Sequence, residues 1–127
     1  MLKKDEGQVG KETDCIFCKI IRKEIPKEFV YEDDDFAVFK DVHPSAPVHL
    51  LMVPKEHLEI QGGDLEKRAA ALGRVFALSR EIADKSGVLE SGYKLVTNAG
   101  PGAGQTVDHL HVHLIGGWKS PTEVQHV

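Results

Sequence analysis

The segment His109-Leu110-His111-Val112-His113-Leu114-Ile115 alternates polar and apolar residues. In an extended strand successive side chains point to opposite faces. The alternation therefore predicts a strand in which Leu110, Val112 and Leu114 bury against a core while three imidazoles share the other face, about 6–7 Å apart along it. Histidine is polar, so its repetition at this spacing needs a reason other than folding. Near neutral pH imidazole is a nucleophile, a general acid or base and a metal ligand. The strand leaves all three roles open.

The remaining chain supplies the rest of a sheet. Ile16, Phe17, Ile20 and Ile21 recur at helical spacing between Asp14, a candidate cap, and Glu24, and Pro26 ends the pattern. Phe29 to Glu32 and Phe36 to Phe39 read as strands joined by the acidic turn Asp33-Asp34-Asp35. Pro44 and Pro47 make the stretch from Asp41 to Pro47 irregular, and His49 to Val53 is a third strand stopped by Pro54. Asp64 opens one long helix whose apolar stripe is Leu65, Ala69, Leu72, Val75, Phe76, Ile82 and Ala83, with Gly87 as its stop. Tyr93 to Thr97 is a fourth strand and the histidine segment a fifth, closed by Gly116-Gly117. Consecutive strands with short links predict an α+β domain, an antiparallel sheet flanked by helices.

The chain of 127 residues shows no internal repeat or boundary, so residues 14–127 are expected to form a single domain behind a disordered tail, residues 1–13. A net charge of -4 without a long basic run argues against nucleic acid as a partner, while leaving room for a single nucleotide. No stretch reaches the roughly 18 apolar residues of a membrane helix. Met1 to Thr13 is polar and lacks the apolar core of a signal peptide, so a cytoplasmic location is expected.

Three further constellations carry chemistry. Gly100, Gly102 and Gly104 lie in the loop feeding the histidine strand and permit main-chain N–H groups to face a phosphate. Plain turn formation explains the same glycines, and neither a Walker loop nor a dinucleotide fingerprint is matched. Cys15 and Cys18 are spaced as a zinc half-site that one or two histidines, with His49 and His109 as candidates, could complete without the sequence deciding which, or they are a buried pair of reduced thiols. Asp41 follows a strand, where a carboxylate accepts ribose hydroxyls or simply lies in an exposed loop. His43, His57 and His126 read as surface or loop residues.

Taken together these residues resemble a known family. His109-x-His111-x-His113 resembles the motif that defines the histidine triad (HIT) superfamily, and the likeness extends over residues 14 to 118. It includes Ile16-Phe17, Lys19-Ile20-Ile21, Glu24-Ile25-Pro26, Phe39-x-Asp41, Pro44-x-Ala46-Pro47-x-His49 and Val53-Pro54-Lys55. It continues through Gly92-Tyr93, Asn98 and Gly104-Gln105-Thr106-Val107 to Gly116-Gly117. The branch it looks most like is the histidine-triad nucleotide-binding (Hint) branch.

That resemblance implies a five-stranded antiparallel sheet with one long and one short helix, and a homodimer joining two sheets into ten strands. It implies a purine nucleoside 5′-phosphoramidate hydrolase that cleaves a P–N bond through a nucleotidyl-histidine intermediate. His111 would be the nucleophile, held by the backbone carbonyl of His109. His113 would contact the phosphate and, with Thr106, assist protonation of the leaving group, while His49 would support His109. Asp41 would hold the ribose, with Ile16, Phe17, Ile20, Ile25, Phe39 and Val42 around the base. Asn98, Gly104, Gln105 and Thr106 would surround the phosphate. No cofactor is implied for the chemistry. A structural zinc on Cys15, Cys18, His49 and His109 is implied by the zinc-bearing relatives.

The chain departs from the family pattern at Thr106, where Ser is common, and at Lys40, a variable position. The alternatives are a dinucleoside polyphosphate hydrolase or phosphorylase of the Fhit type, and a zinc-containing nucleotide-binding interaction module with little activity.

Overall fold

A computed structural model describes residues 15–124. The expected tail at residues 1–13, the cap Asp14 and His126 lie outside the described residues. Five strands form one antiparallel sheet: β1 (Phe29–Glu32), β2 (Phe36–Lys40), β3 (Val48–Pro54), β4 (Tyr93–Val96) and β5 (Val112–Gly116), in the order β1-β2-β3-β5-β4. The helices are α1 (Ile16–Ile21) and α2 (Leu65–Lys85). This is the expected α+β architecture. Among the described residues no helix is long and apolar enough to cross a membrane.

The two faces of the sheet follow from strand alternation. Leu50 pairs with Leu114 and Met52 with Val112, so their side chains project to one face with Val38. There they are buried against Val75, Ile82 and Ala83 of α2. Ala37, Phe39, Leu51 and Val53 project to the other face, beneath Phe17, Cys18 and Ile20 of α1. The short helix covers the β2–β3 half of that face.

Three local details differ from expectation. Helix α1 ends at Ile21 rather than Glu24, and Lys23 turns the chain through a left-handed conformation with φ 67°. Its N-cap is Cys15, whose Sγ accepts the N–H of Cys18 at 3.3 Å. The buried stripe of α2 is Ala71, Val75, Ser79, Ile82 and Ala83. Leu65 and Phe76 are exposed and Ala69 is too, because residues one step round from the stripe turn about 100° away from the sheet. Ser79 is tolerated there because its hydroxyl donates to the carbonyl of Phe76 at 2.7 Å. Finally, ladder pairing in the histidine strand begins only at Val112. His109 and His111 precede it, held instead by Leu110 N–H donating to Leu58 O at 2.6 Å and the Thr97 hydroxyl donating to His111 O at 2.8 Å. The alternation survives: Leu110, Val112 and Leu114 are all buried.

Candidate active site

His111 is buried, with Phe17 packed edge-on at 5.0 Å between ring centroids. Its Nδ1 lies 2.6 Å from the carbonyl oxygen of His109. A carbonyl only accepts, so the proton of the neutral ring sits on Nδ1 and Nε2 carries an open lone pair. Burial pushes the His111 pKa down, which keeps the ring neutral at physiological pH. The result is a buried, oriented imidazole nitrogen with the lone pair a nucleophile needs.

The His113 ring lies 5.2 Å from that of His111. Its Nδ1 is 2.9 Å from Nε2 of His49, and Nδ1 of His49 accepts the backbone N–H of Ser45 at 2.9 Å. Because a backbone N–H can only donate, the neutral His49 ring carries its proton on Nε2 and donates it to His113 Nδ1. Neutral His113 therefore presents an Nε2–H. Burial, followed by the neighbouring imidazoles of His111 and His49, pushes the His113 pKa down to about 4. Asp41 Oδ2 lies 3.3 Å from His49 Nε2 and 3.9 Å from His113 Nδ1, while its Oδ1 accepts the N–H of His43 at 2.8 Å.

His109 is fully buried, its ring edge-on to Phe17 at 5.9 Å between centroids. Its Nε2–H donates to Pro54 O at 2.8 Å, which leaves Nδ1 unprotonated at 3.4 Å from Cys15 Sγ and 3.5 Å from Cys18 Sγ. Burial holds its pKa down at about 4. Nδ1 of His57 lies 3.2 Å from Cys18 Sγ. Cys15, Cys18, His57 and His109 thus bring four donor atoms within 4.8 Å of one another. Two thiols and two imidazoles in this arrangement are compatible with a tetrahedral zinc, and the Pro54 contact orients one ligand as outer partners of metal sites do.

This corrects two expectations for His49. It is not part of the cysteine cluster, and it supports His113 rather than His109. The register explains both: His49 pairs with Ile115 and Leu51 with His113, so His49 lies diagonal to His113, whereas His109 lies beyond the end of the ladder. His57, read as a loop residue, takes the fourth place. The last residue of β3 and the segment after it wrap the start of the histidine strand, through Pro54 O on His109 and Leu58 O on Leu110. Its only sequence signal is its place just after Val53-Pro54-Lys55.

The Gly-rich loop before the histidine strand is braced by its own side chains. The Gly100 N–H donates to Gln105 Oε1 at 2.6 Å, and Asn98 Nδ2 donates to Ala103 O at 2.8 Å. Gly100 and Gly104 both have positive φ, as the turn requires. Asn98 and Gln105 hold the loop's shape, and Thr106 is exposed at its end. Of the expected base-enclosing residues, Phe17, Ile20 and Phe39 are packed into the core and Ile25 is half-buried, while Ile16 and Val42 are exposed. Thr97, missed in the sequence, fixes the backbone of His111.

The model of the HIT domain matches residues 22–120. The chain belongs to the HIT domain family. A HIT relative, the purine nucleoside phosphoramidase of Escherichia coli (strain K12), is 41% identical over 102 residues, covering 80% of this chain and 86% of that protein. The 14 kDa zinc-binding protein of Brassica juncea is 44% identical over 106 residues, covering 82% and 93%. Among solved structures, the HIT family hydrolase from Clostridium thermocellum superposes with a TM-score of 0.77 at 44% identity, over 84% of this chain and 92% of that one.

Proposed function

We propose that this HIT protein hydrolyses purine nucleoside 5′-phosphoramidates to a nucleoside monophosphate and an amine. The observation that carries the reading is the 2.6 Å contact from His111 Nδ1 to the His109 carbonyl, which leaves Nε2 of a neutral imidazole as nucleophile beside His113. The named activity of the 41% identical Escherichia coli relative supports it.

In the first step His111 Nε2 bonds to phosphorus and the P–N bond breaks. The departing nitrogen takes a proton from His113 Nε2. The phosphate's negative charge raises the proton affinity of the His49–His113 pair. In the complex His113 carries N–H at both nitrogens, its Nδ1–H donating to His49 Nε2. His49 then carries its proton on Nδ1, toward the Ser45 hydroxyl 3.3 Å away. Loss of the His113 Nε2 proton leaves the pair neutral. In the second step water attacks phosphorus, the bond to His111 breaks, and the pair recovers a proton from the water. Splitting one displacement into two is effective because the imidazole–phosphorus bond is itself reactive. In this reading Thr106 aids the leaving group, and Asp41, beside His49, holds the ribose.

Where zinc is bound, Cys15, Cys18, His57 and His109 would hold it and it would tie α1 to the catalytic segment. The name of the Brassica juncea relative supports this. The reading includes a homodimer: β4 offers an outer strand edge, and Leu65 and Phe76 lie exposed on α2. The reduced cysteines suit the expected cytoplasmic location.

Turnover of adenosine 5′-phosphoramidate tests the reading. His111→Ala and His111→Asn are expected to abolish turnover while AMP still binds. Full activity in either variant overturns the mechanism, and a wild-type protein that leaves the substrate intact overturns the activity.

A further inference from the structure

Helix α1 and its cap meet the histidine segment through sulfur and through one aromatic ring. Sγ of Cys15 and Sγ of Cys18 lie 3.4 and 3.5 Å from Nδ1 of His109, and Cys18 Sγ lies 3.2 Å from Nδ1 of His57. Between them in sequence, Phe17 meets the ring of His111 edge-on at 5.0 Å. The two sulfurs are within 4.8 Å of each other, both thiols are free, and the chain has no other cysteine. Closing them to an S–S length of about 2.05 Å takes only a small side-chain rotation. An imidazole nitrogen beside each Sγ gives these buried thiols a polar surrounding, unlike that of inert core cysteines.

We propose that Cys15 and Cys18 form a reversible disulfide when hydrogen peroxide reaches them, and that this bond switches the His111 site off. The activity so governed is the phosphoramidate reading, on which that half of the inference rests. One thiol attacks a peroxide oxygen; the O–O bond breaks, water leaves with the thiol's proton, and a sulfenic acid remains. The second thiol attacks that sulfur; the S–S bond forms, the S–O bond breaks, and its proton leaves in a second water. The sulfur pair is oxidised by two electrons and the peroxide is reduced to two waters.

The new bond removes both S–H groups from beside Nδ1 of the fully buried His109, and a buried acceptor that loses its donors is unfavourable. His109 therefore shifts, and with it the carbonyl that lies 2.6 Å from His111 Nδ1 and sets the aim of Nε2. Drawing Cys15 and Cys18 together also moves Phe17 against the His111 ring. Where zinc is bound, the same oxidation releases it, because the thiolate and not the disulfide is the metal ligand.

The test treats the reduced full-length chain with hydrogen peroxide, removes the excess with catalase, and follows mass, histidine tautomer and turnover. The mass is expected to fall by two hydrogen atoms, located by peptide mapping to residues 15–18. The kcat on adenosine 5′-phosphoramidate is expected to fall about tenfold with KM nearly unchanged, and dithiothreitol to restore it. Dithiothreitol does not reduce methionine sulfoxide, so the recovery isolates the thiols. Nitrogen-15 NMR should show His111 leaving its Nδ1–H tautomer on oxidation and returning on reduction, a change that a bystander disulfide does not produce. In Cys15→Ser the reversible loss should vanish; should that variant not fold, the wild-type cycle with its mass and NMR readouts still decides.

Cysteines that stay reduced, or that end as sulfinic acids or as links between chains, overturn the disulfide. A disulfide that leaves kcat and the His111 tautomer unchanged overturns the switch. An untreated protein that leaves the substrate intact overturns the phosphoramidate reading, and the mass and NMR results then still judge the disulfide and its reach to His111.

Discussion

Nε2 of His49 lies 2.9 Å from Nδ1 of His113, and the backbone N–H of Ser45 fixes which of the two carries the proton between them. The contact makes His49 the residue that sets the tautomer of the third triad histidine. It also places the nearby Asp41 carboxylate where a protonated pair would be stabilised.

Removing His49 should therefore act through His113. His49→Ala is expected to lower kcat on adenosine 5′-phosphoramidate by about 10²-fold, the lower range for a displaced general acid. Nitrogen-15 NMR should show His113 changing from the Nε2–H tautomer to a mixture. An unchanged tautomer together with unchanged kcat would remove His49 from the mechanism.

The cysteine cluster predicts a division between two histidines. His57→Ala and Cys18→Ala should each lose any bound zinc, measured by elemental analysis, whereas His49→Ala should retain it. Metal retained in His57→Ala but lost in His49→Ala would restore the set expected from sequence.

Acid should destabilise the fold in a defined window. His109 and His113 titrate near 4 when folded, against an ordinary value of 6.5. Between those values the unfolded chain binds more protons, so stability falls as pH drops from 6.5 to 4 and is flat for these groups above 6.5. The buried His109 contributes up to roughly 3 kcal/mol across the window, and the more solvent-screened His113 less. Urea denaturation at pH 7.5, 6 and 5 measures the slope, and His113→Asn should make it shallower. A slope unaffected by that substitution would assign the acid sensitivity elsewhere.

The observed stripe of α2 separates two buried positions. Ile82→Ala should cost about 2–5 kcal/mol by urea denaturation, because it opens a cavity between helix and sheet. Ser79→Ala should cost less than about 1 kcal/mol, since it removes both the hydroxyl and its need for the Phe76 carbonyl. Equal costs at both sites would contradict the packing described.

Much of the site was legible because its cause is local. A period of two in Leu110, Val112 and Leu114 dictates burial on one face, wherever the strand goes. The α2 stripe was legible only in part. Val75, Ile82 and Ala83 lie in it as apolar spacing predicts, but apolar Phe76 and Leu65 are exposed while polar Ser79 is buried. A hydroxyl satisfied by its own helix buries as readily as a methyl group, and the sequence does not state that satisfaction.

The sequence by itself determined the sheet's components, the triad and the half-site made by Cys15 and Cys18. Side-chain type and spacing are properties of neighbouring residues, and the physics that reads them has the range of one strand or one helical turn. Which histidine joined which partner was decided by the tertiary structure alone. The β3–β5 register set His49 beside His113, and the segment after Pro54 carried His57 to the cysteines. Those pairings depend on where distant segments cross, and crossing is settled by burial of the whole core.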